Sequence, residues 1–201
     1  MNKNNRKKQL FEVAFKLFLT NRYEAVSIAD IEEASGMTRG AISYYGKDKL
    51  GLYHQVVKYY LVDKQDLDTK MKTCEYKSLK QFIESYIQSA QDTMNSLREV
   101  CGVISNGSRS YLSLILQISD HFQDLNEAYL ANRNKELLKW AEMLNMAIKD
   151  NEIRSDIDVM STAKSFMTIF YGQSFLDALS IGLNTMDLRM QFMNLYNMMK
   201  I

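Results

Sequence analysis

Residues 38–50 read TRGAISYYGKDKL, a run that joins a hydroxyl, a guanidinium, two adjacent phenols and two ammonium groups to little aliphatic surface. Such groups suit a nucleic acid, whose phosphates take cations and hydroxyls and whose base edges take forked donors. Thr38, at the start of a short helix, offers a hydroxyl where the helix dipole favours a phosphate. Arg39 has the reach for a guanine edge or a phosphate, and Gly40, lacking a side chain, lets backbone approach a duplex closely. Tyr44 and Tyr45 supply hydroxyls and flat rings for phosphates or thymine methyls, while Lys49 can neutralise a phosphate from outside the groove. Ile42 is left to anchor the segment to a core.

Presenting these side chains outward requires a rigid frame, and the flanking residues spell one. Residues 6–19 carry Leu10, Phe11, Ala14, Phe15 and Phe18 at helical spacing. Ser27 followed by Asp30 predicts an N-cap and a second helix from Ile28, with Ile28, Ile31 and Ala34 facing inward. Gly36 suits a left-handed C-cap, Met37 an apolar plug, and Thr38 the N-cap of a third helix that Gly46 ends. Three short helices, the last two joined by a glycine turn, outline a helix-turn-helix.

The remainder also reads as helix. Asp48 predicts the cap of a long fourth helix carrying Leu52, Val56, Tyr59 and Tyr60. Further helices are expected over 77–97, roughly 118–150 and roughly 158–182, with a less regular region around CGVISNGSRS, and a last helix from Asp187. Proline is absent and only 8 glycines occur in 201 residues, which argues against a strand-rich fold. The expected architecture is all-α, with a DNA-binding domain over 1–50 and a helical domain over 51–201. Charge follows that division: residues 1–50 hold nine Lys and Arg against six Asp and Glu, while the whole chain carries only +1.

Several function classes are disfavoured. There is no G-x-S-x-G elbow, H-E-x-x-H, C-x-x-C or glycine-rich phosphate loop, and neither His54 nor His121 has a ligand-spaced neighbour. No catalytic residue, metal or cofactor is therefore expected. Cys74 and Cys101 are too few for a disulfide framework and read as reduced thiols of a cytoplasmic protein. No stretch approaches the ~18 uncharged apolar residues of a membrane span.

Residues 6–60 resemble the DNA-binding domain of the TetR family of bacterial transcriptional regulators. Ser27, Ile28, Ile31, Gly36, Met37, Thr38, Arg39, Gly40, Ile42, Lys49 and Leu52 all fall on the family pattern. Three positions depart from it: Arg22 stands where glycine is usual, Ser43 replaces a phosphate-contacting tyrosine, and Gly46 replaces a buried phenylalanine. A gap beside the third helix is expected where that ring is lost. The resemblance implies DNA contacts from Ser27, Thr38, Arg39, Gly40, Ser43, Tyr44, Tyr45 and Lys49 on a pseudo-palindromic double-stranded operator. It also implies a homodimer built on the last two helices and a repressor released from its operator by an unknown small-molecule effector.

The C-terminal sequence adds its own support. Residues 158–182 and the last helix carry apolar rows through Phe170, Ser174 and Ala178 and through Phe192, Leu195 and Met199, with Gly172 permitting close approach of a partner helix. His121, Phe122, Trp140, Tyr171 and Phe175 are the candidate effector contacts, although Met, Phe and Tyr suit an ordinary core equally well. The alternative to a regulator is a helical protein-interaction module that has lost DNA binding, which Ser43 and Gly46 keep open.

Overall fold

α1 (Lys3–Thr20) seals its row of Leu10, Phe11, Ala14, Phe15 and Phe18 against the rest of the domain. The structure is a computed structural model and describes residues 3–71, 76–102 and 106–201, so Cys74 lies outside the described residues. A 3-10 turn at Tyr23–Ala25 leads into α2 (Ile28–Ser35). Arg22, before that turn, has φ −67°, a conformation open to any residue, so this loop does not need the family's glycine. The α2 capping box forms in full: Ser27 Oγ accepts from Asp30 N at 3.1 Å, and Asp30 Oδ2 accepts from Ser27 N at 2.7 Å. Those bonds hold the Asp30 carboxyl below its usual range. Gly36 closes α2 at φ +66°. The inward row differs by one residue from expectation, since Ala34 is exposed and Ser35 is buried in its place.

α3 (Arg39–Gly46) starts at its Thr38 cap, buries Ile42, and ends on Lys47 at φ +64°. The expected gap at Gly46 is absent. A Cβ there would lie 2.6 Å from Leu52 Cβ and 2.9 Å from Leu52 Cα, and a Cβ on Gly51 would lie 2.2 Å from the Gly46 carbonyl oxygen. Two glycines let the end of α3 touch the start of α4 (Lys49–Val57) backbone to backbone, which uses the room a phenylalanine would take. Asp48 fixes the same corner by accepting from Gly51 N at 2.7 Å.

α4 widens into a π-helical turn at Lys58–Val62 and tightens again at Asp63–Gln65, with Tyr60 stacked on Phe15 at 4.0 Å. α5 (Leu67–Met71) and α6 (Leu79–Cys101) follow. The helix expected over 118–150 is two helices, α7 (Gly107–His121) and α8 (Gln123–Lys149), broken at Phe122. α7 starts inside the segment that read as irregular, capped by Asn106 accepting from Arg109 N at 3.2 Å. α9 (Val159–Ala178) and α10 (Thr185–Met199) complete the bundle. Its centre is Trp140, stacked on Phe166 at 4.4 Å and met edge-on by Phe82 and Phe192.

Glu152, in the turn after α8, ties the far end together. Its carboxylate accepts from Leu79 N (2.8 Å) and Lys80 N (3.1 Å), two orphan donors at the start of α6, and from Tyr196 Oη (3.0 Å) on α10. Glu152→Ala is expected to cost about 2–3 kcal/mol, because charge-assisted bonds are lost and a part-buried amide is left without an acceptor. Thermal unfolding checks this: Glu152→Gln, which keeps an acceptor, should lose less, and an unchanged midpoint for Glu152→Ala would refute the tie.

The N-terminal helices are packed onto the bundle. Tyr23 sits edge-on to Tyr53 and Phe122, its N–H donates to Gln117 Oε1 at 3.1 Å, and His54 Nδ1 lies 3.0 Å from Asp124 Oδ2. No helix among the described residues is long and apolar enough to cross a membrane.

Candidate nucleic-acid interface and central cavity

On the outer side of α3, Thr38, Arg39, Gly40, Ser43 and Tyr44 are all exposed, Tyr44 at 65%. The frame behind them is stiff, since Ile42 is buried and Gly46 is locked against α4. Tyr45 is half-buried against the core, edge-on to Tyr44 at 5.1 Å, and its carbonyl accepts from Gln55 Nε2 at 2.9 Å. Ser27 is exposed, but its hydroxyl already donates to Asp30 Oδ2 at 2.8 Å as part of the cap.

Lys49 is placed differently from a free surface cation. Its Nζ donates to the carbonyls of Tyr23 and Val26, both at 2.8 Å, and lies 4.1 Å from the Tyr23 ring centroid. Two of its three donors therefore clamp the turn between α1 and α2, leaving one for a phosphate. Lys47, exposed at the end of α3, and Arg6, Lys7 and Lys8 on α1 are further solvent-facing cations of these helices. Motif matching passes over Lys47 because its position in the pattern is variable.

A cavity of about 130 Å³ lies among α6, α7, α8 and α9, with Leu61 and Gln65 beyond α4 in its wall. Of the five candidate effector contacts only Tyr171 lines it. His121 is exposed at the end of α7, beside a shallow surface groove with His54 and Asp124. Phe122 is buried at the junction, 4.5 Å from Tyr53. Trp140 is fully buried in the core, and Phe175 is 56% exposed.

The polar part of the cavity comes from residues that periodicity did not single out. Glu136, buried on α8, accepts from Tyr171 Oη at 2.7 Å and from Tyr86 Oη. Burial first, and then the Glu136 charge, pushes both phenols well above their ordinary pKa, so they stay neutral donors. Tyr111 is raised by burial in the same way. Arg133, one turn before Glu136, stacks its guanidinium 4.1 Å from the Tyr171 ring centroid, and its buried Nε has no hydrogen-bond partner.

The expected interface residues also move. Ala178, Phe192 and Met199 are buried inside the subunit, Phe170 and Ser174 line the cavity, and Leu195 packs partly against the core. Gly172 alone of that group is exposed. The large apolar side chains that α9 and α10 leave in solvent are Met160, Phe175, Leu176, Met186, Met190 and Met198, with Leu179 just past the end of α9. Both helices are apolar on more than one face, so spacing alone does not tell the face packed within the subunit from the one left in solvent.

Comparison with known proteins places this geometry. The profile described as "Bacterial regulatory proteins, tetR family" matches residues 10–56, the span from α1 into α4. The HTH-type transcriptional repressor KstR2 of Rhodococcus jostii (strain RHA1) is 22% identical over 167 residues, covering 78% of this chain and 72% of that protein. Among solved structures, a TetR-family transcriptional regulator from Cytophaga hutchinsonii superposes with a TM-score of 0.73 at 18% identity, over 100% of this chain and 98% of that one. TylP, a TetR regulator from Streptomyces fradiae, superposes at 0.66 and 21% identity, over 100% of this chain and 89% of that one. The helix-turn-helix is thus matched in sequence by the TetR-family profile over residues 10–56, and the whole length of the chain matches solved TetR-family regulators in fold.

Proposed function

We propose that the protein is a homodimeric cytoplasmic repressor that binds a pseudo-palindromic operator through α3 and leaves it when a small molecule fills the central cavity. The carrying observation is α3 itself, capped by Thr38 and anchored by Ile42 and Gly46, with Arg39, Gly40, Ser43 and Tyr44 turned to solvent. Thr38, Ser43 and Tyr44 position the duplex through phosphates, and Arg39 reads a base edge. Ser27 and Tyr45 sit at the edges of this surface and contribute through the α2 N-terminus and one ring face. Lys49 contributes its single spare donor.

Release follows from where α4 lies. Gly51 and Leu52 at one end hold Gly46 of the reading helix, and Leu61 just beyond the other end forms part of the cavity wall. A ligand that displaces Leu61 therefore acts on α3 through one short helix, and the π-helical turn at Lys58–Val62 is a place for that helix to repack.

The test separates reading from positioning. Arg39→Ala should cost about 1–3 kcal/mol at one base pair and relax choice there. Lys47→Ala should weaken all duplexes alike and lower the salt slope by about one unit. Lys49→Ala should lower the melting temperature as well as affinity, because it frees two carbonyls. Binding to selected and random duplexes across salt gives all three readouts. A helical interaction module without DNA binding would retain no duplex even at low salt.

A further inference from the structure

Among the described residues, the charged side chains that line the central cavity are Lys70, Arg133 and Glu136. Glu136 is already served by two phenolic donors, whereas the buried Arg133 Nε has no acceptor. Among these side chains positive charge exceeds negative by one, and Arg133 brings an unmet donor; the rest of the wall mixes apolar Leu67, Ala90, Met94, Leu97, Ile115 and Leu183 with the neutral polar Gln65, Ser89, Thr93, Ser108, Asn132 and Ser174. A buried donor without an acceptor is costly, and one acceptor group of charge −1 removes both imbalances at once. A dianion would overshoot the charge.

We infer that the effector is a compact monocarboxylate, its carboxylate on Arg133 with Lys70 as the second cation and its apolar body along the aliphatic wall. This rests on the reading of the cavity as the effector site. Tyr86, Tyr111, Tyr129 and Tyr171, which line the cavity with Glu136, also resemble a cage for a cation. That occupant is disfavoured because the Tyr171 face is covered by the Arg133 guanidinium, and an added cation would meet Arg133 and Lys70 in about 130 Å³.

Lys70 gives the inference a pH signature. Burial lowers its pKa to about 8 against the pull of Glu136 on α8 and Asp92 on α6. Glu12, Lys16, Lys64 and Glu99 line the adjoining groove that Lys70 also borders, and Arg133 shares the cavity. A carboxylate bound beside Lys70 raises that pKa, so binding takes up protons near pH 8 and weakens as pH rises from 7 to 9.

Calorimetry on the full chain tests this with hexanoate, octanoate and 3-phenylpropionate, each beside its primary amide and primary amine. At pH 7 the acids should bind at least tenfold more tightly than the amides, with the amines weakest. Arg133→Gln should erase the acid preference, Lys70→Met should erase its pH dependence, and Glu136→Gln should keep the acid preference while moving the pH dependence to lower pH, because the pull of Glu136 on Lys70 is lost. Should Arg133→Gln fail to fold by circular dichroism, Arg133→Lys keeps a charge and should retain part of the preference. Equal binding of acid and amide, or preference for the amine lost in Glu136→Gln, would overturn the carboxylate assignment while leaving the effector site standing. If no compound of any class binds, the reading of the cavity as an effector site falls with it.

Discussion

Gly46→Ala should destabilise the protein by about 2–4 kcal/mol and abolish operator binding at concentrations that saturate the parent, although alanine is the better helix former. The new methyl would start 2.6 Å from Leu52 Cβ and 2.9 Å from Leu52 Cα, far inside contact distance, and the second of these atoms is backbone. Relief requires α3 and α4 to separate. Leu52 is fully buried and Ile42, on the same helix as Gly46, is buried at 1% exposure, so separation opens the small core beneath α3. Gly51→Ala tests the contact from the other side, because its methyl would lie 2.2 Å from the Gly46 carbonyl oxygen. Helix propensity would favour that alanine by about 1 kcal/mol, so a net loss isolates the steric term. Gly40→Ala is the control: nothing lies within 4 Å of a Cβ there, so stability should hold or rise while DNA affinity falls. Melting curves and duplex titrations of the three variants check the set, and a stable, operator-binding Gly46→Ala would show that the two helices are not in close contact.

That corner also marks the limit of what sequence alone discloses. The caps were legible because each is local: Ser27 with Asp30, Thr38 with Ala41 and Asp48 with Gly51 are bonds across three residues. The role of Gly46 was not legible. A glycine in place of a large ring reads as a hole until the neighbouring helix is seen to have moved in, with Gly51 making room for the carbonyl. α7 was missed for a related reason. Its opening Gly107 and Ser108 read as loop, yet a Cβ at 107 would lie 3.0 Å from Leu97 Cβ, so that glycine serves a helix crossing.

The cavity inverted the periodicity rule outright. On α8 the acidic Glu136 is buried while Leu130 and Leu138 are half exposed or more, at 50% and 55%. A pattern that assigns leucine to the core and glutamate to solvent discards the residue that organises the site. The large rings of Trp140 and Phe122 are packed, at the bundle centre and at the junction with the N-terminal helices.

The second large effect concerns assembly, and the same helices supply the test. Parent protein at micromolar concentration should sediment at twice 23.4 kDa. Leu176→Glu combined with Leu179→Glu should sediment at the single mass, because two carboxylates would enter an apolar contact while remaining solvated in the isolated subunit, where these side chains are 62% and 64% exposed. The fold should survive, as judged by an unchanged circular dichroism spectrum. Operator affinity should drop about 10²–10⁴-fold, since each α3 would then bind one half-site without the other held beside it. Gly172→Leu sharpens the location. Gly172 is exposed, and nothing lies within 4 Å of a Cβ built there, so a single subunit tolerates the larger side chain and gains helix propensity. A partner helix crossing at that glycine would not tolerate it. Dissociation of Gly172→Leu with a retained or raised melting temperature at low concentration therefore places the crossing at the middle of α9. A dimer indifferent to all three substitutions would move the interface off α9 altogether.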